Sequence, residues 1–160
     1  MHIHVIAVGK LKERFWKEAC AEYEKRLTRY CTLRVVELDD CDPARHGGEK
    51  AAREAEAASI RKVMPGSGGA GRYVACLDVR GKLVSSEDLS EFVDDRALEG
   101  CRDLVLVIGG PTGIDDGFKR EADALISFGK ITLPHNLARV VLLEQLYRAF
   151  RISRNEPYHK

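Results

Sequence analysis

The run LVLVIGGPTGI (104–114) is an apolar segment that opens into a glycine-rich loop. Glycine lets main chain turn tightly or come close to a bound group, so the loop is a candidate ligand site. Two phosphate chemistries can be tested against its spacing. A P-loop needs G-x-x-x-x-G-K-[ST], and no Lys-Ser or Lys-Thr follows Gly110. A dinucleotide fingerprint needs G-x-G-x-x-G between a strand and a helix. Here the order is G-G-P-T-G, with no spacer between the first two glycines and Pro111 where an N–H donor would be useful. Taken alone, the motif is equally a tight turn. Two other features point back to a ligand: a second loop, PHN (134–136), after the next apolar segment, and a polar tail carrying Arg151, Arg154, Asn155, Tyr158, His159 and Lys160.

The remaining reactive side chains form no constellation. Cys20, Cys31, Cys41, Cys76 and Cys101 are odd in number and show no C-x-x-C spacing, which suggests neither a disulfide framework nor a zinc site. Cys20 and Cys76 lie in apolar patterns and read as small buried hydrophobes in a reducing cytoplasm. His2 and His4 alternate on a strand without further ligands, so no metal is expected. His46 lies in a polar loop. His135 opens the last helix, as a structural residue or a substrate contact. His159 can titrate near neutrality, and Tyr158 could orient or stack on a base.

A βα alternation must position these groups. Strands are expected at 3–8, 33–38, 73–79, 103–109 and 129–134. The first helix follows Phe15, Ala19, Tyr23 and Leu27, a four-residue repeat. EKAAREAEAASIRKVM (49–64) alternates charge and reads as a largely solvated helix. DDCDPARHGG (39–48) is a loop by composition, and PGSGGAG (65–71) a flexible break. A turn is expected at Arg80-Gly81-Lys82, then a helix capped by Ser85 or Ser86 that stops at Gly100. Another helix is expected from Asp115 or Asp116 to Ser127, and the last spans 136–153. The pattern predicts an α/β domain with a mainly parallel sheet and helices on both faces.

At 160 residues the chain makes one domain, 1–160, and its net charge of +1 leaves any polyanion to a local basic patch. Arg139, Arg148, Arg151, Arg154 and Lys160 form one such cluster, opposed by Glu144 and Glu156, and Lys10, Lys12, Arg14 and Lys17 another. No run is long enough to span a membrane. The last helix is apolar on more than one face, which suits a large single core or a dimer interface.

The segments IGGPTG (108–113), ITLPHNLARVVLLEQLYRAF (131–150) and RNEPYHK (154–160), with VIAVGKLKERFWKEACAEYEKRL (5–27), resemble the RlmH (YbeA-type) family of the SPOUT superfamily. The resemblance covers nearly the whole chain. It implies S-adenosylmethionine-dependent methylation of N3 of a pseudouridine in 23S ribosomal RNA, on the assembled ribosome in the cytoplasm. It also implies a C-terminal trefoil knot, an exception to the rule against threaded chains, and a homodimer built through the last helix.

Carried over residue by residue, the resemblance implies a cofactor pocket of Leu77, Gly109, Phe128, Gly129, Lys130, Ile131, Thr132 and Leu133, read largely through main chain. Gly109 is expected to let backbone approach the cofactor. The tail residues Arg154, Tyr158 and His159 are implied to act beside the cofactor of the other subunit. The competing readings are a non-catalytic ribosome- or RNA-binding dimer of the same fold and a nucleotide-binding oxidoreductase, the latter lacking its fingerprint.

Overall fold

The computed structural model describes residues 1–66 and 71–158. The elements run β1 (His2–Val8), α1 (Arg14–Leu27), β2 (Thr32–Leu38), α2 (Pro43–His46), α3 (Glu49–Val63), β3 (Arg72–Leu83), α4 (Ser86–Leu98), β4 (Asp103–Ile108), α5 (Asp116–Glu121), β5 (Ala124–Ser127) and α6 (His135–Ser153). The strands form one parallel sheet in the order β2-β1-β4-β3-β5.

Alternation along the central strands sends side chains to two cores. Ile3, Val5, Ala7, Leu104, Leu106 and Ile108 face α1, α4 and α6, where Cys20, Leu27, Leu89, Leu142 and Leu146 meet them. Ile6, Val8, Val105 and Val107 face the other way, toward Ala57 and Ile60 of α3 and Phe118 of α5. A parallel strand covered on both faces reads as a near-continuous apolar run, and β4 does from Leu104 to Ile108. Helix ends are set locally. Ser85 and Asp88 exchange backbone hydrogen bonds in a capping box at α4, and Gly100 follows that helix at φ +78°.

Four expectations need correction. Helix α3 is not largely solvated: Ala52, Glu56, Ala57 and Ile60 are buried, and its exposed charges are Glu49, Lys50, Glu54, Arg61 and Lys62. The helix expected to reach Ser127 ends at Glu121, and Ala124–Ser127 pairs with β3 as the fifth strand, Ala75 opposite Ala124 and Leu77 opposite Ile126. Residues 129–134, expected as that strand, are a loop; Gly129 sits at φ +140° and Pro134 supplies no N–H. β3 continues through the expected turn at Arg80–Lys82, with a register shift against β5 between Leu77 and Lys82. A Cβ on Gly81 would lie 2.6 Å from the Leu125 carbonyl carbon, so only glycine permits this close pass. The polar loop 39–48 contains the one-turn helix α2, and positions 67–70 of the expected flexible break lie outside the described residues.

Candidate functional site

Parallel strands gather their carboxyl ends on one edge of the sheet, where open α/β folds take ligands. At that edge β3, β4, β5 and the start of α6 enclose a cavity of about 870 Å³, a size that holds a small molecule. Three walls build it.

The first wall is the loop after β4. Gly109 lines the cavity, but the space beside its Cα is already filled. A Cβ would lie 2.7 Å from Ile114 Cγ1 and 2.9 Å from the Gly113 carbonyl carbon. The loop folding back on itself therefore requires glycine here, whatever approaches the backbone from the cavity. The return is a tight turn in which the Gly113 N–H donates to the Gly110 carbonyl at 3.0 Å, with Gly113 at φ +85°. Behind the loop, the buried Glu56 carboxylate accepts the Cys41 N–H at 2.8 Å, and burial pushes its carboxyl up.

The second wall runs from Ile126 to Pro134, and Ser127 organises its beginning. Its hydroxyl lies 3.0 Å from the Gly129 carbonyl and 3.3 Å from the Val79 carbonyl, and accepts the Gly129 N–H at 3.2 Å. This pins the turn at 128–129 to β3. Phe128, Gly129, Ile131, Thr132 and Leu133 line the cavity. Lys130 is exposed on the same loop and lies outside the lining.

The third wall is the end of β3, where Leu77 is joined by Asp78 and Val79. Asp78 accepts the Arg80 N–H at 2.9 Å and the Lys119 ammonium at 3.0 Å, and Lys119 also reaches Asp116 at 2.8 Å. Burial alone would raise the Asp78 carboxyl; these donors outweigh it and hold it below the ordinary value. The ion pair ties β3 to α5, and so joins the third wall to the first.

His135 and Ala138 of α6 close the remaining side. His135 packs on the turn after β1, where a Cβ on Gly9 would lie 2.7 Å from its Nε2. Arg139, one turn further, is 2% exposed; it donates to Glu37 at 2.6 Å and to the Gly9 carbonyl at 2.7 Å. It is a structural residue and no part of a basic patch. Its neighbours are neutralised too: Arg148 pairs with Glu144 at 2.6 Å and Arg151 with Glu156 at 2.9 Å.

The tail lies elsewhere. Tyr158 donates to Glu144 at 3.2 Å and stands edge-on to Tyr147 at 4.9 Å. Glu144 is six residues beyond Ala138, about 9 Å further along the helix. Burial, with Tyr23 and Glu144 adding to it, pushes the Tyr158 phenol up to about 12. Arg154 lies over the Tyr30 ring at 4.7 Å. Neither residue lines the cavity of its own chain, and His159 and Lys160 lie outside the described residues.

Asp78, Val79, Ser127, Ile114 and Ala138 also line the cavity and were not foreseen. Asp78 follows Leu77 directly and was legible as a strand-end carboxylate; Ser127 was hidden by the helix expected over it. The resulting pocket is lined mainly by apolar residues, with the Asp78 carboxylate among them. Such a pocket suits a small molecule that is largely apolar. Among the described residues no group of histidine, cysteine and carboxylate side chains could hold a metal, and no helix is long and apolar enough to cross a membrane.

Residues 1–159 match the family described as "Predicted SPOUT methyltransferase". The chain is 44% identical over 163 residues to a protein of Clostridium botulinum (strain Alaska E43 / Type E3) named Ribosomal RNA large subunit methyltransferase H, with 100% of both chains covered. A Clostridium acetobutylicum protein of the same name is 45% identical over 163 residues, and one from Carboxydothermus hydrogenoformans 43% over 166, each again covered completely.

Proposed function

The chain belongs to the SPOUT methyltransferase family, and on that premise we propose that it transfers a methyl group from S-adenosylmethionine to N3 of a pseudouridine in 23S ribosomal RNA. The reaction takes place on the assembled ribosome, in the cytoplasm. Relatives named as large-subunit ribosomal RNA methyltransferases support the ribosomal substrate. The observation that carries the reading is the cavity at the ends of β3, β4 and β5, where Leu77, Gly109, Phe128, Gly129, Ile131, Thr132 and Leu133 converge from distant parts of the chain.

Bound S-adenosylmethionine supplies an electrophilic methyl group on a sulfonium, and transfer is an in-line displacement. The chain's part is to align donor and acceptor, a contribution of up to ~7–11 kcal/mol. Leu77 and Phe128, which line the cavity, would offer apolar surface to the bound donor. Main-chain groups of Gly109 and of residues 129–133 would hold the donor's polar groups, Lys130 through its backbone alone, since its side chain is exposed.

The proposal also takes residues 1–160 as one domain with a C-terminal trefoil knot, acting as a homodimer in which each tail serves the partner's cavity. Tyr158 and Arg154 then orient the acceptor; neither lines its own chain's cavity, and Tyr158 bonds Glu144, about 9 Å beyond Ala138 along α6. The N3 proton leaves during transfer, to His159 or to solvent hydroxide. Titration calorimetry with S-adenosylmethionine, followed by mass analysis of 23S RNA from treated ribosomes, tests the function. The expected result is saturable binding and one added methyl on a pseudouridine. Binding without incorporation would overturn the catalytic reading.

A further inference from the structure

Phe15 stands out on α1, 60% exposed beside a core that takes in every other aromatic residue of that helix. Its ring lies 4.9 Å from Trp16 at an interplanar angle of 51°, and Trp16 is anchored in the core, so Phe15 is held outward rather than free to fold in. Four cations surround it in sequence: Lys10, Lys12, Arg14 and Lys17. Lys10 pairs with Asp39 and Arg14 with Glu18, while Lys12 and Lys17 are exposed and form no ion pair with a described residue. The cations of α6 are spent on Glu37, Glu144 and Glu156. Exposed positive charge beside an exposed aromatic ring is thus found at the start of α1, with Lys17 also helping to lower the Glu37 carboxyl.

The location matters. The loop leading into α1 leaves β1 at Gly9, which packs on the cavity-lining His135. Six residues separate Gly9 from Phe15, so the ring's Cα lies within about 20 Å of the cavity rim. A few nucleotides of single strand span that distance.

We propose that Phe15, with Lys12 and Lys17, is a stacking and phosphate-binding platform for single-stranded RNA flanking the target nucleotide. An unpaired base has a π-face that an exposed ring can take regardless of sequence, and ammonium groups beside it meet the backbone. The proposal rests on the ribosomal substrate proposed above and assigns residues to its recognition.

The test measures co-sedimentation of the full-length protein with ribosomes from cells lacking this gene, over a range of KCl, in parallel with methyl incorporation. Phe15→Ala weakens ribosome binding roughly 5- to 150-fold, the effect of losing one stacked base, and Phe15→Trp restores it. Lys12→Ala and Lys17→Ala each lower the slope of log K against log salt by about 0.7. S-adenosylmethionine affinity, read by calorimetry, stays that of the unaltered protein and shows that the variants are folded. Unchanged ribosome affinity and salt slope in all three variants would overturn the platform, as would failure of the unaltered protein to sediment with ribosomes. Dissociation of a homodimer by Phe15→Ala would overturn it as well, by making the patch a contact between copies. Phe15-dependent binding without any methyl incorporation would instead overturn the catalytic reading and leave the platform standing.

Discussion

Arg139 and Glu37 meet at 2.6 Å across 102 positions of sequence, but they share the burial unequally: the guanidinium is 2% exposed and the carboxylate 39%. The pair closes the turn after β1 onto α6, because Arg139 also holds the Gly9 carbonyl and Glu37 also accepts the Leu11 N–H at 2.9 Å.

That inequality predicts which variant is worse. Glu37→Ala strands a buried guanidinium and is expected to cost about 3–5 kcal/mol. Arg139→Met leaves a carboxylate that reaches water and one orphaned carbonyl, and is expected to cost about 1–3 kcal/mol. Urea midpoints of the two variants read the order directly, and a reversed order would show that the pair is not held by burial of the arginine.

Glu37 and Glu56 respond to acid in opposite directions. For Glu37, burial is outweighed by Arg139 and the Leu11 N–H, so its folded value lies below 4.5. Its stabilisation is present above 4.5 and is lost as pH falls through the folded value. For Glu56, burial raises the folded value above 4.5, so its ionised form opposes folding at neutral pH and the opposition fades as pH falls. Glu56→Gln keeps an acceptor for the Cys41 N–H and removes the charge. It should raise the melting temperature at pH 7, with the gain shrinking toward pH 4. A gain that grows in acid would refute the assignment.

Three glycines near the cavity are required for different reasons, and alanine separates them. Gly81→Ala drives a Cβ into the Leu125 and Ile126 backbone, Gly109→Ala into Ile114 and the Gly113 carbonyl carbon. Each should cost about 1–3 kcal/mol through overpacking and weaken S-adenosylmethionine binding, because both residues brace cavity walls. Gly113→Ala meets nothing within 4 Å and bears only the strain of φ +85°, about 1–2 kcal/mol. Thermal melts with calorimetry on the three variants check this; equal donor affinity in Gly109→Ala would detach the loop from the pocket.

The tail should matter more to chemistry than to the fold, whose loss on deletion is the packing of Tyr158 on Tyr147. Deleting Pro157–Lys160 is expected to abolish methyl incorporation while calorimetry shows donor binding retained. With its phenol pushed up to about 12, Tyr158 stays protonated at neutral pH. Tyr158→Phe should therefore lower the rate without altering the shape of the pH–rate profile between pH 6 and pH 9. A limb of that profile lost in Tyr158→Phe would make the phenol the base.

Mixing a cavity variant, Gly109→Ala, with the tail deletion tests sharing between subunits. Heterodimers should regain part of the activity that neither homodimer has, and no recovery in verified heterodimers would confine each tail to its own chain.

Strand order aside, most of the fold could be read from periodicity, because β1, β4 and α6 carry long apolar patterns whose periods differ. The failures cluster at 116–134. β5 has only four residues, Ala124–Ser127, too few to show a period, and it is a strand only because β3 offers a pairing edge. That Leu77, Phe128, Gly129 and Ile131–Leu133 line one cavity was legible through family likeness and not through spacing, since their side-chain types form no motif. Arg139 misled for a related reason. Its partners, Glu37 and Gly9, are too far away in sequence for any local pattern to announce burial. Phe15 was counted with the apolar stripe of α1, and only the packing of Trp16 shows that it faces outward.

The sheet order has a consequence during synthesis. β1 is the second strand in space and the first to leave the ribosome, yet its partner β4 begins at Asp103, opposite His2. At bacterial and eukaryotic elongation rates that interval lasts roughly 5–20 s. Through it the nascent chain carries HIHVIAV with one apolar edge bare or lent to β2 alone. A chain built this way relies on the slowness of its neighbours to aggregate as much as on the strength of its finished core, and lengthening the pause before residue 103 should lower soluble yield without changing the stability of what folds.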